Sequence, residues 1–376
     1  MTTIRAVRFP ETDAAAIEEH AAAHGDAAEA LGAMPDALRE VSAAWLRQQA
    51  ETSLAAIRPS FFAGDAPPLF PAPRGYLDSG QRGRLAGVRM ALQHVEARLI
   101  DAKGERPLID ASTPFVLNAL AEGRRDRRSP MYPGLVRSSD TTWLVRDPKY
   151  KHPSAHECGP LVDVTLEAFD ECELHPAVAG AWLMFSLLTI HPFADGNGRT
   201  TRMLYLLASA PATGLDLSIA EQWVFYRHQY IRALSVGRAA PRFDADRLDP
   251  QPFTDATIAW STVGARLTSE RLAALGRAWD GLAGLDDAHR AGALAAGLHR
   301  FVSPDDLPAT IGTYPDRLDV LLRLVGAGVL TRVTLPPSRQ VPGAPPRPHF
   351  AATPQTIARL DQAIAQAPAA GHPASG

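Results

Sequence analysis

His191-Pro192-Phe193-Ala194-Asp195-Gly196-Asn197-Gly198-Arg199-Thr200-Thr201-Arg202 is the stretch on which the reading of this chain turns. It places a base, an acid, two glycines, an amide and two arginines within one loop and the first turn of a helix. Glycines at 196 and 198 permit left-handed or close-approach backbone, which leaves N–H groups free to point at an anion. A helix starting near Asn197-Gly198 adds its positive end to the same place. Arg199 and Arg202 stand three residues apart, on one face of that helix, so both guanidiniums can reach a polyphosphate. Asp195 suits Mg²⁺, which takes one or two carboxylates together with phosphate oxygens. His191 has the pKa range of a base that accepts a proton from a hydroxyl nucleophile. Phe193 is expected to point into the core and anchor the loop.

The flanks read as helix. Upstream, Ala177 to Ile190 is almost uniformly apolar, and a helix greasy on all sides is a central, buried one. Downstream, Met203, Leu204, Leu206 and Leu207 predict a second helix, ended by Pro211 and Gly214. Helical periodicity also covers residues 11 to 57, 80 to about 102, 219 to 235 and 252 to about 282. Ser112 or Thr113 caps a helix that Pro114 opens and that runs to Gly123. The proline-dense segment from Pro59 to Gly75 reads as an extended connection pinned by aromatics. The run Arg124 to Arg128 reads as a solvated turn. Residues 141 to 145, Thr-Thr-Trp-Leu-Val, read as part of a short hairpin. Strand signals are few, so the expected fold class is all-α, mainly helical.

From about Asp286 the character changes. Helices over Arg290 to Phe301 and Pro315 to Gly326, with a turn opened by Ser303-Pro304 between them, precede the β-branched run Val329 to Thr334. A Pro-rich connection joins that run to His349-Phe350-Ala351. This pattern resembles a winged helix-turn-helix. Its third helix mixes Asp316 and Asp319 with Arg317 and Arg323, and so lacks the uniformly basic face of a DNA reader. Arg332, Arg339 and Arg347 fall on the expected wing. A protein-docking or structural role is favoured over DNA binding.

The 376 residues carry a formal net charge of −3, with 46% hydrophobic and 21% charged residues. That balance provides no global attraction to nucleic acid or to a membrane. Cys158 and Cys172 form no metal spacing and no disulfide framework, and no run approaches the length of a membrane span. The expectation is a soluble, cytoplasmic protein.

The opening stretch resembles the signature of Fic-domain proteins, His-Pro-Phe-x-(Asp/Glu)-Gly-Asn-Gly-Arg-x-x-Arg, at every specified position. More loosely, the resemblance runs from about Pro107 to Leu234. Pro133-Gly134 with Arg137 looks like the segment leading into the family's flap hairpin, and Tyr230-Ile231-Arg232-Ala233-Leu234 looks like its helix beside the nucleotide base. It implies a Fic/Fido helical core with a short β-hairpin flap, followed here by the winged-helix-like domain. The expected organisation is an N-terminal helical region (1–100), a Fic-like catalytic core (101–245), connecting helices (246–285), a winged-helix-like domain (286–365) and a disordered tail (366–376).

The resemblance further implies a protein adenylyltransferase, which moves AMP from ATP, with Mg²⁺, to a Ser, Thr or Tyr hydroxyl of a target protein. It assigns His191 as general base, Asp195 as metal ligand, and Asn197 to the α-phosphate. Gly196 and Gly198 supply anion-binding amides, Arg199 and Arg202 hold the β- and γ-phosphates, and Tyr230 lies beside the nucleotide. The hairpin around 141 to 145 aligns the target as an added strand. Self-modification and a homodimer stay open. So do transfer of UMP or phosphocholine, and a DNA-binding regulator whose Fic-like domain senses a nucleotide.

Many members of the family carry an inhibitory helix, Ser/Thr-x-x-x-Glu-(Gly/Asn), whose glutamate pairs with the second signature arginine. No Ser/Thr-x-x-x-Glu occurs in this chain. In the nearest N-terminal candidate, Thr52 to Ile57, Ala56 stands where the glutamate would be. Arg202 is therefore expected to lack that restraint.

Overall fold

A computed structural model describes residues 5–55, 69–70, 79–122, 133–138, 150–238, 241–299, 301–334 and 348–365, and among these the regular structure is thirteen α-helices, two 3₁₀ turns and one two-stranded sheet. The expectations for residues 59–68, 71–75, 124–128, 141–145, 335–347 and 366–376, and the position of Ala56, lie outside these residues. The chain divides into two compact units. The first comprises Met1–Gly25, Gln49–Pro67 and Leu77–Arg266, and the second Asp26–Gln48, Pro68–Tyr76 and Leu267–Gly376. Helices α1 (Ala14–Gly32), α2 (Asp36–Ala55) and α10 (Gln251–Asp280) each contribute residues to both. No helix among the described residues is long and apolar enough to cross a membrane.

In the first unit lie α3 (Ser79–Ala102), α4 (Thr113–Glu122), α5 (Ala155–Glu171), α6 (Pro176–Ile190), α7 (Asn197–Thr213), α8 (Ile219–Phe225) and α9 (Arg227–Gly237). Helix α6 is its centre. Pro176 occupies the first turn, where its missing N–H costs nothing, and every residue from Ala177 to Ile190 is buried. The neighbour it packs against most extensively is α7, with α5 on another side. Gly180 makes the α6–α7 approach close: a Cβ there would lie 3.3 Å from both Ala208 Cβ and Tyr205 Cδ2. Trp182 is fully buried, and its indole N–H reaches the carbonyls of Val7 (3.3 Å) and Arg8 (3.0 Å), which ties the N-terminal segment to α6. Burial of side chains the size of Trp182 and Phe185 contributes about 2–3 kcal/mol each relative to exposure.

Several local expectations need correcting. Helix α4 begins at Thr113, but the carboxylate of Asp110 fastens its start, accepting from the N–H groups of Ser112 (3.0 Å) and Thr113 (2.9 Å). Pro211 lies inside α7 and not at its end; the helix continues to Thr213, and Gly214, with φ 66°, closes it. The predicted helix over 219 to 235 is two helices, broken at Tyr226. Helix α5 has no clear signal in the sequence, because Gly159 and Pro160 lie within it. It holds because Ser154 and Glu157 brace its start, Ser154 N–H donating to the Glu157 carboxylate at 2.8 Å, and because Leu161, Val162, Leu166 and Phe169 are buried.

In the second unit, α11 (Asp287–Leu298), capped by the Asp286 carboxylate on His289 N–H (3.0 Å), and α12 (Tyr314–Gly326) bracket the two short 3₁₀ turns. Strands β1 (Leu330–Val333) and β2 (His349–Ala352) pair antiparallel, with Leu330 opposite Ala352 and Val333 opposite His349. Helix α13 (Pro354–Ala365) follows, an element beyond the winged pattern expected here, with an amphipathic face that buries Leu360. Phe350, Leu330, Leu321, Leu324 and Leu294 form the core of this unit.

A buried polar network in the first unit makes folding pH-dependent. His20 and His24, one turn apart on α1, both approach Ser261 Oγ through Nε2 at 2.9 Å, and Ser261 donates to Asp216 at 2.5 Å. One hydroxyl oxygen that already donates can only accept from the histidines, so Nε2 carries a hydrogen in both rings. Burial first, then His24, pulls the His20 pKa down to about 4. As pH falls, the unfolded chain therefore takes up the proton before the folded one. The stabilisation is intact above pH 6.5 and is lost toward pH 4, by about 2 kcal/mol between pH 7 and pH 5. Urea denaturation should show this loss in the native protein and a flatter dependence in His20→Gln, whose amide N–H₂ keeps a donor toward Ser261.

Candidate active site

The candidate site begins where α6 ends. The last carbonyls of a helix have no partner within it, and here side chains supply them. Leu188 O accepts from Arg238; Thr189 O from His152 (2.8 Å) and the Tyr150 hydroxyl (3.4 Å); Ile190 O from the Cys158 thiol (3.8 Å); and His191 O from Arg137 Nε (3.0 Å). With these bonds in place the chain turns sharply. His191 caps α6 in the left-handed region, φ 57° and ψ 57°, its N–H on Leu187 O at 2.9 Å. A left-handed non-glycine residue is strained and persists only where its surroundings over-determine it.

The His191 ring is partly buried, 4.6 Å from the ring of His152. Burial, followed by His152, Arg238 and Arg137, pushes its pKa down to about 3. The imidazole is therefore neutral at physiological pH, with a ring nitrogen able to accept a proton.

The loop from Pro192 to Gly196 is fastened at several points. Arg137 N–H donates to Pro192 O at 2.8 Å, and Val136 bridges Phe193. Phe193 is buried, edge-on to Phe115 with ring centroids 5.6 Å apart, as expected of an anchor. Asn197 grips the Phe193 backbone from both sides: its Oδ1 accepts from Phe193 N–H (3.0 Å) and its Nδ2 donates to Phe193 O (2.7 Å). A phosphate contact by Asn197 would thus come from a side chain that also braces the loop. On α4, Asn118 donates to Asp195 O (3.0 Å) and Thr200 Oγ1 (3.1 Å) and accepts from Gly134 N–H (2.8 Å).

Gly196 opens α7 with φ 81°, and no side chain caps the helix there. The first helical N–H groups, from Asn197 to Arg199, are accordingly left for an acceptor outside the helix. Asp195 Oδ1 accepts from Gly196 N–H at 2.7 Å and stands 3.8 Å from Arg199 Nη2. Mg²⁺ is usually held by one or two carboxylates with water and phosphate oxygens. Asp195 is the carboxylate beside the start of α7 that could hold such an ion together with phosphate oxygens; among the described residues there is no group of three metal-ligating side chains.

The two arginines differ. Arg199 is 1% exposed and ion-paired with Glu122 of α4, itself nearly buried. Arg202 donates from Nε to Gly198 O (2.7 Å) and lies over the Trp223 ring at 5.9 Å. Among the described residues no carboxylate pairs with it. Burial holds its pKa below the usual arginine range, while Tyr230 opposes that shift. Tyr230, from α9, packs its ring on Phe253 (5.3 Å) and Trp260 (6.2 Å), and burial raises its hydroxyl pKa. The structure thus brings His191, Asp195, Gly196, Asn197, Gly198, Arg199 and Arg202 into one loop and helix start, with Tyr230 an electrostatic neighbour of Arg202. Sequence reasoning missed Asn118, Glu122, His152 and Arg238. The first two had a readable signal: they are the polar pair, four residues apart, in the otherwise apolar run from Pro114 to Glu122.

Gly196 is held to glycine by backbone and by space. Its φ of 81° and ψ of 0° lie in the left-handed region, where alanine costs about 1 kcal/mol from backbone alone. A Cβ there would also lie 2.7 Å from Glu122 Oε1 and 2.8 Å from Asn118 Nδ2. Thermal denaturation should show Gly196→Ala destabilised by more than this backbone cost; a loss of about 1 kcal/mol or less would show that the carboxylate and the amide move aside freely.

Residues 124–208 match the Fic/DOC family. Among solved structures, a Fic family protein from Desulfovibrio desulfuricans G20 is 19% identical, covering 92% of this chain and 98% of its own, with a TM-score of 0.46. Fic-1 (residues 134–508) from C. elegans is 17% identical, covering 69% of this chain and 71% of its own, with a TM-score of 0.44. A Fic domain containing signaling protein from Bacteroides thetaiotaomicron is 15% identical over 69% of this chain and 98% of its own, with a TM-score of 0.44. The assignment itself rests on the matched domain, which contains the whole His191–Arg202 stretch. Residues 124–208 of the chain thus form a Fic/DOC family domain, a family known for transferring a nucleotide or another group onto proteins.

Proposed function

We propose that the protein is an adenylyltransferase that moves AMP from ATP to a Ser, Thr or Tyr hydroxyl of a target protein. The observation that carries this reading is the pairing of a neutral, left-handed His191 with an uncapped helix start that holds Arg199 and Arg202. In this mechanism a nitrogen of the His191 imidazole takes the hydroxyl proton as the oxygen attacks the α-phosphorus. The bond between the α-phosphorus and the bridging oxygen breaks, and pyrophosphate leaves. The free N–H groups at the start of α7 and the two guanidiniums hold the charge that develops on the leaving group. Mg²⁺, when bound with the nucleotide, neutralises phosphate charge beside Asp195. Asn118, Asn197 and Arg137 keep the loop from rearranging as the nucleotide enters, so little of the binding energy is lost to ordering.

The C-terminal unit is proposed to dock protein and not DNA. On α12, Asp319 pairs with Arg323 at 2.8 Å and Asp316 is engaged with Thr313, so this helix offers no basic face.

Pyrophosphate release from Mg–ATP, in the presence of a hydroxyl-bearing acceptor protein, tests the assignment of His191. His191→Ala should lower kcat by roughly 10²–10⁴-fold, the usual worth of a positioned general base, with Mg–ATP affinity little changed. Because the folded-state pKa is about 3, the base is already neutral at pH 5. The kcat/KM profile of the native protein should therefore show no acid limb between pH 8 and pH 5; an inflection near 6.5 would contradict the assignment.

A further inference from the structure

Glu122 is out of place by local rules. It closes α4, where a carboxylate faces the negative end of the helix dipole, and it is only 4% exposed. A buried charge in such a position is stable only when a cation meets it. That cation is Arg199: its Nε donates to Glu122 Oε1, and its Nη2 is ion-paired with the same oxygen. Both Nη atoms are buried without a hydrogen-bond partner among the described residues; Nη2 is held by its ion pair with Glu122, and Nη1, at the remaining corner of the guanidinium, has no ion pair there. A buried donor without a partner marks a place where an acceptor is expected to arrive.

The surroundings of Glu122 are built for this contact. Asn118, four residues earlier on the same face of α4, fastens the loop at Asp195 O and Thr200 Oγ1. Gly196 has no side chain to hold the carboxylate away from the loop; a Cβ there would lie 2.7 Å from Glu122 Cγ. The α4 face thus docks on the loop and on Arg199 together.

We infer that Glu122 is the positioning residue of Arg199: it holds the guanidinium by Nε and Nη2, so that Nη1 is the donor presented to a phosphate oxygen of the nucleotide. The inference rests on the nucleotidyl-transfer reading above for its substrate. Glu122 does not itself touch the reacting atoms, and it need not leave for the nucleotide to bind. It also cancels one positive charge in a site that already carries Asp195.

Two consequences separate positioning from a structural role or a brake. In Glu122→Gln the amide oxygen still accepts from Arg199 Nε, so the fold is kept, but the ion pair is gone. The guanidinium is then less firmly set, and kcat should fall about tenfold. The Kd of Mg–ATP, measured by calorimetry, should stay the same or tighten, because one negative charge has been removed. In a double-mutant cycle, Glu122→Ala should lower kcat in the native background and add nothing in Arg199→Ala. A rise in kcat for Glu122→Gln would show a brake and overturn the proposal, as would additive losses in the cycle. Thermal melting checks that each variant is folded, and the Gln variant carries the test if the Ala variant is not. Should the native protein transfer nothing from ATP, the proposed activity fails, and the same cycle read on the Mg–ATP Kd decides positioning alone: coupled losses uphold it, additive losses overturn it.

Discussion

The carbonyl end of α6 is the constraint on which the rest of the site depends. A helix buried on every side cannot leave its last carbonyls to water, and each unpaired one would carry a desolvation cost. Arg238, His152, Tyr150, Cys158 and Arg137 meet Leu188, Thr189, Ile190 and His191 in turn. Two of these partners are arginines, whose charge also suits a helix C-terminus. The same cations and burial keep His191 unprotonated. One arrangement thus terminates the helix, fixes the left-handed turn and leaves a neutral imidazole.

The second helix completes the site by leaving its own end unmet. Helix α7 starts on a left-handed glycine with no capping side chain, and the neighbouring carboxylates are engaged elsewhere: Asp195 on Gly196 N–H, Glu122 on Arg199. Arg199 and Arg202 are balanced by Asp195 and Glu122, so this patch has little net charge, in keeping with a chain of formal charge −3. Anion recognition here would come from the direction of individual donors and not from a broad positive field.

Much of this is legible in the residues. Uniform apolarity over Ala177 to Ile190 predicts the central helix, and the glycine spacing predicts the loop and the start of α7. What is illegible depends on tertiary partners. Asn118 and Glu122 face Asp195, Thr200 and Arg199 across about 80 residues of chain, a distance that no periodicity reports. The break between α8 and α9 at Tyr226 carries neither glycine nor proline to mark it. Conversely, Pro160 and Pro211 signal breaks that packing overrides: the apolar faces of α5 and α7 are buried well enough to tolerate one missing backbone hydrogen bond each.

Which phosphorus of the nucleotide is attacked decides the reaction. Incubation of the protein with Mg²⁺ and ATP labelled at either the α or the γ phosphate, with and without His191→Ala, measures this directly. Label from α-ATP alone should become covalently attached to protein and should be lost in the variant. Attached label from γ-ATP, or α-label that survives the loss of His191, would contradict it.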